Sequence, residues 1–413
     1  MIRGRFPWVL KGLTMRALSL FCCGLAALIP TCAAAAPPLS DRDLAAIETL
    51  EQRVAALPGP RPGRRSAPLS ERMDDMRVPA VSVAFIEDGR VKWARAYGET
   101  TRGSGLRATP ATIFQAGSLS KPVAAAGALR LVDRGRLLLD EDVNPRLRAW
   151  RVPAAPAGLG GKVTLRRLLA HTAGLTLSAY PGYRPGQAVP TLVQSLAGAP
   201  PARTAPVRLF AAPGGQTAYS GGGYSVVQLL MIESAGMDFE RLMQRTLLRP
   251  AGMTRSGFLR PRPRDVAAGH DREGAPLPGG GNAYPELAAA GLWTTPSDYG
   301  RFVIALQNAW AGRPGALLRA PTARTMMTPI HSGYGLGITI MERGGRPVVT
   351  HGGANEGFEC RFVAWLDGSR QGLVVMTNGD NGGFLAAAIQ RTLAQAYGWA
   401  DALGPPPPRA PES

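Results

Sequence analysis

Phe114-Gln115-Ala116-Gly117-Ser118-Leu119-Ser120-Lys121 opens a run that stays rich in Ala, Leu and Val at helical spacing as far as Leu137. The pattern predicts a helix over 118–137, closing at Arg134-Gly135-Arg136 and tolerating Pro122 because it falls in the first turn. Ser118 and Lys121, three apart at a helix start, share one face about one turn apart. A hydroxyl is a weak nucleophile unless a base takes its proton, and a lysine can do so only where desolvation or a neighbouring cation lowers its pKa. Free N–H groups and the dipole at a helix N-terminus favour negative charge developing beside Ser118. Lysine is scarce here: Lys11, Lys92, Lys121 and Lys162 stand against 47 Lys+Arg.

Working outward from this helix, Val81–Ile86 and Val91–Tyr97 flank Glu87-Asp88-Gly89-Arg90 and predict a hairpin. Helical stretches are expected over 223–235, 296–308 and 384–397, and strands over 334–340, 362–366 and 373–377. Strands at both ends with helices between predict an α+β fold, in which both ends of the chain feed one antiparallel sheet flanked by helices. A mostly helical second lobe is expected from about Leu137 to Pro285.

Two further segments carry groups suited to chemistry. In Pro213-Gly214-Gly215-Gln216-Thr217-Ala218-Tyr219-Ser220-Gly221-Gly222-Gly223, a tyrosine precedes a predicted helix. A phenol there either packs against the core or relays a proton from nucleophile to leaving group. In Val348-Val349-Thr350-His351-Gly352-Gly353-Ala354-Asn355, a β-branched run ends in glycines that let a ligand approach the strand, and its N–H groups suit an oxyanion. His171, His270, His331 and His351 show no metal-ligand spacing. Ala218-Tyr219-Ser220-Gly221-Gly222 is one residue from Gly-x-Ser-x-Gly, but no strand runs into Ser220 as that motif requires.

Taken in order, Ser118-Leu119-Ser120-Lys121, Tyr219-Ser220-Gly221 and His351-Gly352-Gly353 resemble the serine β-lactamase and penicillin-binding-protein superfamily, within it the class C β-lactamase, D-Ala-D-Ala carboxypeptidase and esterase branch. Leu168-Leu169-Ala170-His171-Thr172-Ala173-Gly174-Leu175 and Gly291–Asp298 extend the likeness, which runs from about Val78 to Tyr397. The resemblance implies Ser118 as nucleophile, Lys121 and Tyr219 sharing acid/base work, and His351 in place of the Lys of Lys-Thr-Gly. It also implies an oxyanion hole from the N–H groups of Ser118 and Ala354 beside Gly353, and no cofactor is required; the His171 segment reads as a helix-to-loop junction, which assigns that histidine to structure. Gly221 departs from the Tyr-x-Asn pattern, removing a donor to the substrate amide and weakening the case for β-lactam hydrolysis. An imidazolium at His351 would attract a substrate carboxylate, losing its charge above about neutral pH. The predicted reaction is hydrolysis, through an acyl-enzyme, of an ester, a D-amino-acid peptide or amide, or a β-lactam, on a small-molecule or peptidoglycan-type substrate. The alternative is an inactive wall- or partner-binding protein on the same scaffold.

Composition bounds the rest. Four basic residues, the apolar run Ala17–Ile29 and small residues to Ala36 read as a secretory signal over 1–36, which predicts a periplasmic or secreted protein with no membrane span after cleavage. A segment with a Pro/Gly/Arg-rich linker follows over 37–77, the hydrolase domain over 78–402, and a disordered tail over 403–413. Cys22, Cys23 and Cys32 lie in the presequence and only Cys360 beyond it, so no disulfide framework is expected. The net charge of +18 comes from scattered arginines without interleaved aromatics, which argues against nucleic acid as a partner.

Overall fold

The computed structural model describes residues 38–55, 66–154, 158, 160–259 and 266–399, and from Leu39 onward the chain forms one compact unit. The expected signal peptide and tail lie outside the described residues, as does most of the linker; no described helix is long and apolar enough to cross a membrane.

Strand β1 (Ala80–Glu87) is apolar or β-branched at nearly every position and buried throughout, because helices cover both its faces. It turns through Asp88 and Gly89, both at positive φ, into β2 (Arg90–Gly98). The remaining strands come from the far end of the chain: β3 (Thr339–Arg343), β4 (Arg346–Asn355), β5 (Phe358–Trp365) and β6 (Gly372–Thr377). Their order is β2-β1-β6-β5-β4-β3, antiparallel throughout, with β6 beside β1 so that Val375 faces Val83. The two ends of the chain thus meet in mid-sheet, as expected.

On one sheet face lie helix α1 (Asp41–Gln52), started by a Ser40–Asp43 capping box, and the closing helix, both packed around Phe85, Trp365 and Tyr397. The opposite face carries α2 (Ser120–Asp133), α3 (Gly221–Ala235) and α4 (Pro296–Trp310); the closing helix is α5 (Gly382–Ala396). Helix α2 runs through the interior, which its sequence allows: Ala124, Ala125, Ala126, Gly127 and Ala128 let neighbours close in from several sides. Regular structure in the second lobe is helical: long loops join Leu165–Leu169 and Leu192–Ala197 to α3, and Phe239–Met243 follows α3 after a short turn.

Three local expectations shift. The first helix is preceded by a 3-10 turn over Gly117–Leu119 and ends at Asp133. The predicted strand 334–340 enters the sheet only at Thr339. Tyr334–Ile338 is instead a loop threaded against α2, where Gly337 donates to the Leu169 carbonyl and a Cβ on it would sit 2.6 Å from that of Ala125. Pro58–Pro68 is not a free spacer at its described end, since Ser66–Ala67 pairs with Val54–Ala55.

Candidate active site

The register of β3 decides where the sheet is open. It pairs Thr339 with Thr350 and runs outward from there, leaving the outer edge of 351–355 without a strand partner among the described residues. Into that gap the 3-10 turn brings Ser118. The approach is close: a Cβ on Gly353 would lie 2.1 Å from the Ala116 oxygen, and one on Gly117 (φ +51°) 2.7 Å from the Ala354 backbone. Ser120 pins the turn, donating to the Gly117 carbonyl at 2.6 Å and accepting from the Leu292 N–H at 2.9 Å.

Lys121, one turn behind, is buried. Its Nζ stands 2.9 Å from Ser118 Oγ and donates to the Ala289 carbonyl at 2.9 Å. The rings of Tyr219 and Tyr224 lie 4.8 and 5.7 Å from the nitrogen. Contact with aromatic faces favours the ammonium by about 1–2 kcal/mol, but loss of water outweighs it, and burial lowers the pKa to about 7. The predicted pairing of hydroxyl and amine is therefore present, with the amine close to half neutral at physiological pH.

Tyr219 directly precedes Ser220, the N-cap of α3, whose Oγ accepts from the Gly223 N–H at 2.8 Å and donates to Thr176 O at 2.9 Å. Ser220 is buried in this capping role. The Tyr219 ring is 39% exposed, yet burial drives its pKa up to about 12, offset in part by a hydrogen bond with Ser118. His171 holds this corner: its carbonyl accepts from Ala218 N–H and its Nδ1 from Ser220 N–H, so the proton sits on Nε2, which is buried without a partner among the described residues. Its ring lies 4.3 Å from that of Tyr219, and burial pushes its pKa well down.

His351 departs most from expectation. Its Nδ1 lies 2.5 Å from the Gly352 carbonyl, which can only accept, so Nε2 is left to accept from the Tyr334 hydroxyl at 2.9 Å. Burial, then the nearby Lys121, lowers its pKa to about 4. The ring is neutral well below the pH at which the sequence expected its charge to vanish, and it offers no cation to a carboxylate under ordinary conditions.

Ser118, Tyr219, His351, Gly353 and Ala354 thus line one cavity of about 540 Å³, with Tyr334, Thr339, Gly352 and Glu359. Gly221 does not. It lies buried at the start of α3, where a Cβ would meet the Tyr180 ring at 3.1 Å. Sequence reasoning missed Tyr334, disguised in a glycine-spaced run read as a strand, and Glu359, which follows the quoted motif without any pattern of its own. Among the described residues no group of His, Cys, Asp and Glu is arranged to hold a metal ion. Such an arrangement can move a proton from a hydroxyl to a buried amine and on to a phenol beside an unpaired strand edge.

Comparison with known proteins gives the same architecture. The family model described as Beta-lactamase matches residues 67–397. The D-alanyl-D-alanine-carboxypeptidase/endopeptidase AmpH of Escherichia coli (strain K12) is 28% identical over 224 residues, 52% of this chain and 54% of AmpH. Esterase EstB of Burkholderia gladioli is 33% identical over 112 residues, 27% of this chain and 28% of EstB. The chain therefore spans about half the length of the first relative and less of the second. An octameric penicillin-binding protein homologue from Pyrococcus abyssi superposes with a TM-score of 0.66 at 25% identity, over 80% of this chain and 76% of that one.

Proposed function

The chain belongs to the beta-lactamase family, of serine hydrolase type, and from that premise we propose that it hydrolyses esters through an acyl-enzyme on Ser118. The observation that carries this reading is the 2.9 Å contact between Ser118 Oγ and a buried Lys121 Nζ whose pKa is lowered to about 7.

Neutral Lys121 takes the hydroxyl proton as Oγ bonds to the substrate carbonyl carbon. The carbonyl oxygen becomes an oxyanion, held by the N–H groups of Ser118 and Ala354. Collapse breaks the bond to the alcohol, which leaves with a proton passed from Lys121 through Tyr219. Water then attacks the acyl carbon, gives its proton back along the same groups, and frees the acid and Ser118. No cofactor takes part.

Esters are favoured over carboxylate-terminated peptides and β-lactams for two reasons. A neutral His351 gives a substrate carboxylate no counter-charge, and Gly221 supplies no side-chain donor for an amide. An amide also has the poorer leaving group, so a lost donor worth about 3 kcal/mol matters more there. The presequence pattern supports action outside the cytoplasm.

Intact mass of the protein treated with a fluorophosphonate tests the nucleophile. We expect a stoichiometric adduct on wild type and on Ser220→Ala, none on Ser118→Ala, and labelling slowed about 10²–10⁴-fold in Lys121→Ala. Neutral 4-nitrophenyl esters should turn over where a D-Ala-D-Ala peptide does not. An unlabelled wild type would point to a binding protein on this scaffold, and faster peptide than ester cleavage would remove the ester assignment.

A further inference from the structure

Among the described residues, Glu359 is the one acidic side chain lining the cavity that holds Ser118, and the chemistry above does not use it. It stands on β5, opposite Ala354 on one side and Thr377 on the other. Cross-strand partners project from the same sheet face, about 5 Å apart at Cβ, so the carboxylate rises next to the strand edge where the carbonyl is expected to sit. Two glycines at the start of α5 make room for it: a Cβ on Gly382 would lie 3.2 Å from the Glu359 Cβ, and one on Gly383 3.3 Å from Oε2.

The carboxylate has no hydrogen bond or ion pair among the described residues. A purely structural glutamate here would be expected to accept from the N–H groups of α5 or to pair with Arg361, two residues along the same strand, because an unmatched half-buried carboxylate is costly. Asp380 adds a second negative charge nearby, and the neighbouring faces of β4, β6 and α5 supply Ala354, Thr377, Gly382 and Gly383, none of them charged. Burial and Asp380 together raise the Glu359 pKa to about 7, partly opposed by Arg361. At about pH 8, where Lys121 (pKa about 7) and His351 (about 4) beside the serine are mostly neutral, an acid kept open to the cavity suits a cation and repels a carboxylate.

We infer that Glu359 is a specificity-determining residue that accepts a hydrogen bond from a protonated amine on the substrate, making the natural substrate an amino ester. This rests on the acyl-enzyme reading of Ser118.

The test compares labelling rates, by intact mass at about pH 8, for an aminoalkyl fluorophosphonate and its neutral alkyl counterpart of equal length; Glu359 is then ionised and a primary amine still protonated. We expect the cationic reagent to react about tenfold faster on wild type, the worth of one charge-assisted hydrogen bond, and that ratio to fall to about one in Glu359→Gln and to stay high in Glu359→Asp. A wild-type ratio near one, or a ratio that survives Glu359→Gln, overturns the subsite while leaving the nucleophile standing. Failure of both reagents on wild type removes the acyl-enzyme reading and the subsite with it.

Discussion

Lys121 sets the pH behaviour of the site. With its pKa lowered to about 7 and that of His351 to about 4, the rate of Ser118 labelling by a neutral fluorophosphonate should climb through a single limb near pH 7. A second limb in the ordinary histidine range would show that His351 carries charge after all. The same burial has a stability signature. The unfolded amine titrates near 10.5, so between about pH 7 and 10.5 the unfolded chain holds a proton that the folded chain lacks. Stability therefore rises with pH across that window, and the penalty is complete below it. Urea unfolding at several pH values should show this slope in wild type and a flatter one in Lys121→Met; equal slopes would mean that the lysine is better solvated than its surroundings suggest. Serine and lysine were legible in the sequence because their spacing alone puts them on one helical face. The neutrality of His351 was not, since it depends on burial of the ring and on the approach of Lys121 from a distant part of the chain.

Among elements, the contact between the 3-10 turn and β4 matters most, and its two glycines have unequal tasks. A Cβ on Gly353 would meet the Ala116 oxygen at 2.1 Å, whereas one on Gly352 finds its nearest neighbour, the Cys360 oxygen, at 4.0 Å. Gly353→Ala should push the strand off the turn, costing about 2–3 kcal/mol and most of the Ser118 labelling. Gly352→Ala should stay within about 0.5 kcal/mol of wild type in urea unfolding. Similar costs for both would mean that glycine is wanted here for chain flexibility and not for close approach. The β-branched run ending in His-Gly-Gly pointed to a strand edge, but which glycine touches the turn depends on the pleat, whose phase is set by pairing with β5.

At the scale of the molecule, α1 and α5 close one face of the sheet through a polar contact buried between them. The Tyr397 hydroxyl accepts from Trp93 Nε1 at 2.9 Å and donates to Asp43 at 2.8 Å, while its ring stacks 4.0 Å from Phe85. Tyr397→Phe would leave a buried indole N–H unpaired and Asp43 short of a donor. It should cost about 1–3 kcal/mol in urea unfolding without altering the rate of Ser118 labelling. A change in labelling would mean that this face communicates with the site across the sheet.

The sequence by itself determined the helix that carries Lys121 with Ser118 at its start, the hairpin of Ala80–Glu87 and Arg90–Gly98, the meeting of the two chain ends in one sheet, and the order of the three segments that meet at the cavity. The elements follow from local periodicity and turn chemistry, which are written residue by residue, and the grouping of the three segments follows from their resemblance to the serine β-lactamase and penicillin-binding-protein superfamily. Tertiary structure alone decided that Gly221 is buried against Tyr180, that Tyr334 holds His351, and that Glu359 faces the same cavity as Ser118. Each of these depends on which residues from distant parts of the chain become neighbours, and burial among those neighbours, not residue type, sets whether a lysine, a histidine or a glutamate carries charge.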